Sequence, residues 1–225
     1  QLIYREVVNI MSKLMILGAG GHGKVVAEIA ALMKLWNAIV FLDDNIELKE
    51  VNGYKVIGRI RDYKRYKDQY DCAFVAIGNN NLRIVLIDEL IKFDIEIPVL
   101  IHPFTAISRN TQIDIGSVVM AGAIINTNTS IGKGCIINTS SSIDHDCVLE
   151  DGVHISPGAH IGGTTRIGKN TWVCIGSSIV NNITIGCNTI VASGATVVRD
   201  INDNILVGGV PAKYIKELNR RDTYE

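Results

Sequence analysis

Two rules of hydrophobic spacing divide the chain. Up to about residue 101, short apolar runs alternate with stretches whose apolar residues recur at helical spacing. Lys13–Leu17 and Ala38–Leu42 read as strands, with a helix from about His22 to Lys34 between them. Charged Arg59–Gln69 reads as a second helix, Cys72–Ile77 as a third strand, Asn81–Phe93 as a third helix and Ile97–Ile101 as a fourth strand. Alternating strands and helices predict a parallel sheet whose ligands sit at the carboxyl ends of its strands. Pro98 and Pro103 bracket the junction, since proline resists both helix continuation and central strand pairing. The expected first domain is a Rossmann-like α/β unit over residues 11–102. Met11-Ser12-Lys13 reads as a natural start.

After Pro103 the period becomes six. Every sixth residue from Ile107 to Val197 is aliphatic, sixteen positions without an insertion, and the residue four places later is mostly small. Six fits neither an amphipathic helix nor an alternating strand. It fits a solenoid in which each unit makes one flat side and one corner, with the aliphatic residue pointing into the tube. Three units close a triangular coil, and stacked coils would lie ~4.8 Å apart. The expected second domain, residues 103–225, is this parallel β-helix with a tail.

With eighteen residues per coil, Val118, Ile136, His154, Trp172 and Ile190 share one outward column. The columns of the other two sides, such as Gln112/Ser130/Val148/Arg166/Thr184, are more polar. An apolar stripe facing out predicts a protein interface.

Charge and composition remove several classes of function. Lys+Arg is 22 against Asp+Glu 23, so no overall field draws the chain to nucleic acid. No apolar run approaches the roughly 20 residues of a membrane span, and no signal-peptide pattern opens the chain. The five cysteines lack CxxC spacing and read as free thiols in a reducing compartment, so a cytoplasmic location is expected.

The repeat resembles the hexapeptide-repeat acyltransferases, and that resemblance alone implies a left-handed β-helix and a homotrimer. Val207-Gly208-Gly209-Val210-Pro211-Ala212-Lys213 is similar to the ending these enzymes share. A Gly18-Ala19-Gly20-Gly21-His22-Gly23 loop precedes the solenoid, and Ile137-Asn138-Thr139-Ser140-Ser141 leads into Asp144-His145-Asp146. Together they resemble bacterial nucleotide-sugar acetyltransferases, which include UDP-4-amino-sugar N-acetyltransferases and sialic acid O-acetyltransferases. The implied activity is acetyl transfer from acetyl-CoA, without a metal, to the amine of a nucleotide-linked sugar in surface-glycan biosynthesis. A UDP-linked substrate is the leading reading, with GDP- or dTDP-linked sugars and O-acetylation as alternatives.

The glycine loop also satisfies the GxGxxG dinucleotide fingerprint, with Asp43-Asp44 about twenty residues on. Its physical content is only that glycines let backbone approach a phosphate at a helix N-terminus. A domain of about ninety residues is short for a full dinucleotide fold. The resemblance instead implies that Gly20, Gly21 and His22 line the phosphates or sugar, that Asp43 and Asp44 bind ribose or base, and that Gly78-Asn79 completes the edge.

Amide formation from a thioester needs a base for the amine proton and donors for the oxyanion. His145, at a corner between Asp144 and Asp146, suits the first role, because an adjacent carboxylate orients and raises an imidazole. His154 is expected to line the acetyl-CoA site with Gly162, Gly163 and Lys213, and Asn138 to contact substrate from the same side. His145 does not border the side of His154, so a site using both is expected between subunits. A zinc-dependent γ-type carbonic anhydrase shares the solenoid, but His154 and His160 lie one unit apart, on different sides. A pure scaffold has no need of the Asp-His-Asp corner.

Overall fold

A computed structural model describes residues 12–219; the start read at Met11 lies outside them. In the first domain a five-stranded sheet runs in the order β3-β4-β2-β1-β5. Its strands are β1 (Ser12–Leu17), β2 (Trp36–Leu42), β3 (Glu50–Val51), β4 (Tyr54–Gly58) and β5 (Cys72–Val75). β2 and β5 flank β1 in parallel, β4 is parallel to β2, and only β3 runs the other way. Leu14, Met15, Ile16 and Leu17 are all buried, as the continuous apolar run of a strand covered on both faces should be. Helix α1 (Gly21–Met33) covers one face and α3 (Asn80–Lys92) the other.

The structure departs from the expected elements at three places. Arg59–Gln69 holds only a short 3₁₀ turn and the one-turn helix α2 (Tyr63–Tyr66). The hairpin of β3 and β4 was not anticipated, although Asn52-Gly53, at φ 51° and 83°, is a common two-residue turn signal. Ile97–Ile101 adds no strand to this sheet. Its Leu100–Ile101 pairs with Val118–Val119 and forms the first rung of the solenoid.

The second domain is a left-handed three-sided parallel β-helix. A first face stacks Ala106–Ile107 up to Thr196–Val197, and a second stacks Gln112–Ile113 up to Thr184–Ile185. The third runs from Leu100–Ile101 through Ile136–Ile137, His154–Ile155 and Trp172–Val173 to Ile190–Val191. Ile205–Gly208 and an antiparallel Lys213–Glu217 extend that third face. Every hexad aliphatic from Ile125 onward is buried in one core that fills the tube. The small residues four places on are buried as well, and several hydroxyls satisfy corner carbonyls: Thr129 donates to Asp144 O at 2.8 Å and Ser177 to Ala192 O at 2.9 Å.

Each corner turns through one residue in the left-handed region, at Gly116, Gly122, Asn128, Gly134 and onward every six residues. Glycine, asparagine and aspartate hold most of these places because they tolerate that conformation best. The apolar column of the third face is not a bare stripe. Val118 and Ile136 pack against Leu14, Ile16, Ala30 and Leu100 beneath the first domain. The lower half of the expected intersubunit surface is therefore a contact within the chain, and only the upper half, from His154, is left for another role.

Candidate functional site

Three loops meet at the carboxyl edge of the first sheet. Gly18 leaves β1 at φ 106° with its α-carbon against Ala76, and Gly23 sits so close to Gly18 that a β-carbon would meet the Gly18 carbonyl. Those two glycines are set by packing. Gly20, Gly21 and Gly78 differ, because a β-carbon on any of them would meet, beyond its own chain neighbours, no atom of the described residues within 4 Å. Helix α1 starts after Gly20 without a side-chain cap, so its first N–H groups face open space. That arrangement suits an anion.

Asp43 follows β2 and ties the loop together: Oδ2 accepts from Ala19 N at 2.7 Å and Oδ1 from Asn45 N at 2.8 Å. Asp44 Oδ1 accepts from Ile60 N at 3.2 Å. Beside them opens a cavity of about 220 Å³ lined by Asp43, Asn45, Lys49, Gly58, Arg59 and Asp62. Asn79 caps α3 through its side chain, which accepts from Leu82 N at 2.9 Å. His22 stands in the first turn of α1, close enough to His154 for the two rings to interact electrostatically. Burial, then the nearby Arg83 charge, lowers its pKa to about 4, and its Nε2 has no hydrogen-bond partner among the described residues.

On the third face, Asn138 and His154 meet with Nδ2 and Nε2 3.3 Å apart. Asn138 Oδ1 already accepts from Thr139 N at 2.8 Å, so its amide N–H points at His154. His154 Nε2 must then accept, which places the ring proton on Nδ1. Burial, then Arg83 and His22, holds the ring neutral with a pKa of about 3. Trp172 stacks on it at 5.7 Å and 6°, and its indole N–H donates to Ser156 Oγ at 2.8 Å. The sequence reading treated Trp172 only as an interface residue; here it fixes the plane of His154.

His145 lies at the corner between the first and second faces, across the prism from His154. Its Nδ1 is 2.7 Å from Asp146 Oδ2, while Asp144 Oδ1 accepts from the His145 backbone N–H at 2.8 Å. Asp146 therefore orients the ring and Asp144 shapes the turn. One coil below, Asn126 donates to Asp144 at 2.8 Å and Asn128 to Asp146 at 3.2 Å. Neither asparagine was singled out from sequence, although each lies one coil period before its partner. The hydrogen bond to Asp146, then the charge of Asp144, raises the His145 pKa. Hydrogen bonds from His145 and from Asn126 hold Asp146 and Asp144, respectively, below the usual carboxylate range.

Gly162 and Gly163 sit one coil above Asp144 and His145, not beside His154. A β-carbon on Gly163 would fall 2.7 Å from both Cε1 and Nε2 of His145. Lys213 is exposed at the top of the third face. One chain thus brings His22, Asn138 and His154 together and holds His145, Asp144, Asp146, Gly162 and Gly163 apart from them. Among the described residues no group of three or more His, Cys, Asp or Glu could hold a metal, and no helix is long and apolar enough to cross a membrane.

Comparison with known proteins places both halves. Residues 13–90 match the PglD N-terminal domain family, and residues 128–163 the bacterial transferase hexapeptide family of six repeats. The chain is 30% identical over 174 residues to GDP-perosamine N-acetyltransferase of Escherichia coli O157:H7, covering 75% of this chain and 78% of that protein. It is 34% identical over 115 residues to UDP-N-acetylbacillosamine N-acetyltransferase of Bacillus subtilis (strain 168), covering 49% and 52%. The acetyltransferase domain of PglB from Neisseria gonorrhoeae FA1090, solved with acetyl coenzyme A, superposes with TM-score 0.88 at 41% identity, over 91% of this chain and 99% of that one. PerB from Caulobacter crescentus, solved with CoA and GDP-perosamine, gives 0.87 at 33% identity, over 92% and 98%.

Proposed function

Since the chain belongs to the hexapeptide-repeat sugar N-acetyltransferases with a PglD-type N-terminal domain, we propose that it acetylates the amine, at C4, of a UDP-linked amino-deoxy sugar, with His145 as base. Acetyl-CoA is the acetyl donor, as for its relatives.

The observation that carries the residue assignment is the 2.7 Å contact of His145 Nδ1 with Asp146 Oδ2. It keeps the proton on Nδ1, so Nε2 presents a lone pair at an exposed corner. The sugar amine attacks the acetyl carbonyl carbon, Nε2 takes the amine proton, and the carbon–sulfur bond breaks to release CoA thiolate. That thiolate then takes up a proton. Nδ1–H of His154, held neutral and stacked on Trp172, would donate to the developing oxyanion. A base of this kind contributes about 10²–10⁴ in rate.

The nucleotide part belongs on the first domain. Its diphosphate would lie over Gly20, Gly21 and the uncapped start of α1, near Gly78 and Asn79, and its base in the 220 Å³ cavity beside Asp43. His22 reaches from that loop toward the sugar. Asp43 holds the loop through Ala19 N, and Asp44 holds the neighbouring segment through Ile60 N.

His145 and His154 stand on opposite sides of one prism, so the reading requires the corner of one copy to face the His154 side of another. A homotrimer of three-sided prisms meets that requirement three times over, with Gly162, Gly163 and Lys213 lining the acetyl-CoA cleft. A GDP-linked sugar is the second reading, favoured by the resemblance to GDP-perosamine N-acetyltransferase along 78% of that protein.

The test is calorimetric titration with UDP, GDP and dTDP, followed by acetyl transfer to the matching 4-amino sugar nucleotide. Tight UDP binding with N-acetylated product supports the proposal. GDP binding moves it to the second reading, and transfer to a hydroxyl overturns it.

A further inference from the structure

Arg83 is buried to 1% exposure and has no carboxylate within ion-pair distance among the described residues. Buried charges are normally paired, because desolvation costs several kcal/mol. Here all five guanidinium N–H groups instead meet neutral oxygens. Nε donates to Gly134 O at 2.7 Å; Nη1 to Ile77 O at 2.9 Å and Gly78 O at 3.2 Å; Nη2 to Asn80 Oδ1 at 2.8 Å and Gly152 O at 2.9 Å.

These acceptors come from two domains. Ile77 and Gly78 form the loop after β5, pressed against Gly18 of the glycine loop. Gly134 and Gly152 are successive left-handed turns of the solenoid corner between its second and third faces, at φ 65° and 73°. That corner is bare on purpose: a β-carbon at Gly134 would fall within 2.9 Å of both Ile84 and Ile87, so α3 lies directly on the turns. Asn80 Nδ2 donates to Asn170 O at 3.0 Å, and Asn170 Nδ2 to Asn81 Oδ1 at 2.7 Å, one coil further up.

Hydrophobic contact alone would let α3 slide along a column of similar turns. A planar fork with five fixed donors does not slide, because each displaced carbonyl leaves a buried N–H unmet. We propose that Arg83 is a positioning residue that sets the register between the loop at Gly78–Asn79 and the β-helix, so that amine and acetyl group meet in line. The inference rests on the placement of the nucleotide-sugar given above. The charge lies near both His22 and His154 and favours their neutral forms, as expected of a cation between the two parts of the site.

Arg83→Lys keeps the charge but has three donors and no fork. With acetyl-CoA and a UDP-linked 4-amino sugar, or GDP-perosamine where the wild type prefers it, kcat should fall about tenfold to a hundredfold. Both KM values should stay within about threefold, because each domain keeps its own contacts; a loss of folded protein gives the same pattern, so kcat is normalised to the folded fraction read by circular dichroism. A folded variant with wild-type kcat overturns the proposal. Should Arg83→Lys not fold, Asn81→Ala removes only the outermost tie and should lower kcat in the same way, less steeply; unchanged kcat there also overturns it. Should the wild type acetylate neither acceptor, the functional reading fails instead. Hydrogen exchange across residues 77–79 then decides: faster exchange in Arg83→Lys supports the register role, and unchanged exchange rejects it.

Discussion

Gly163→Ala displaces the His145 ring without removing it. Gly163 has no left-handed backbone, so alanine is compatible with its main chain. Its new methyl would lie 2.7 Å from Cε1 and Nε2 of His145 and 3.2 Å from Cδ2, against about 3.5 Å for an ordinary carbon contact. The ring must therefore move by about 0.8 Å, or swing away from Asp146 Oδ2. Its side chain is 52% exposed, so it can swing into solvent at little cost to the fold. A misplacement near 1 Å at the reacting centre is worth about a hundredfold in rate. The expected result is a fall in kcat of about 10–10² with Tm shifted by less than about 2 °C. Gly162→Ala is the control, since its β-carbon would meet the next coil's backbone, 2.6 Å from Asn181 N. It should lose about 1–3 kcal/mol of stability, and its Tm should fall well below that of Gly163→Ala. Steady-state kinetics with differential scanning calorimetry on both variants checks the pair. Wild-type kcat in folded Gly163→Ala would refute the placement of His145 at the reacting centre.

His145→Ala should lower kcat by about 10²–10⁴ while acetyl-CoA affinity, read by calorimetry, stays close to wild type. The base must be neutral and its pKa is raised, so the rate should fall as pH drops through that raised value; Asp146→Ala should move the inflection to lower pH and reduce kcat, as a pH–rate profile will show. Asp43→Ala frees Ala19 N and Asn45 N, so nucleotide binding should weaken while acetyl-CoA binding is unchanged in parallel titrations. Trp172→Glu puts a carboxylate against His154 on the uncovered part of the third face, and should dissociate the oligomer and abolish turnover while circular dichroism stays native; an active monomer by light scattering would show that one chain suffices.

The unbroken period of six, from Ile107 to Val197, determined the solenoid by itself. Each inward aliphatic has one place to go, and the corners are built from residues that tolerate left-handed backbone. The His145 corner was legible for the same reason, because coil arithmetic places a residue on a side or a corner without any long-range information. Coil arithmetic also contained Asn126 and Asn128, one period before Asp144 and Asp146, for a reader who carried it down a coil.

What lay beyond the sequence was how the first domain sits on the second. No local pattern says that α3 will lie along the turns at Gly134 and Gly152, or that Val118 and Ile136 will be covered by the chain's own sheet. Arg83 falls on the same helical face as Ile87 and Leu90, a spacing that marks a core position. Its five acceptors are main-chain carbonyls and one amide, drawn from segments up to 69 residues away, and a carbonyl carries no residue identity to read. The closeness of His22 to His154 depends on that same docking. Local spacing fixed the rungs and corners of the solenoid, and only packing between the domains decided which side chains face one another.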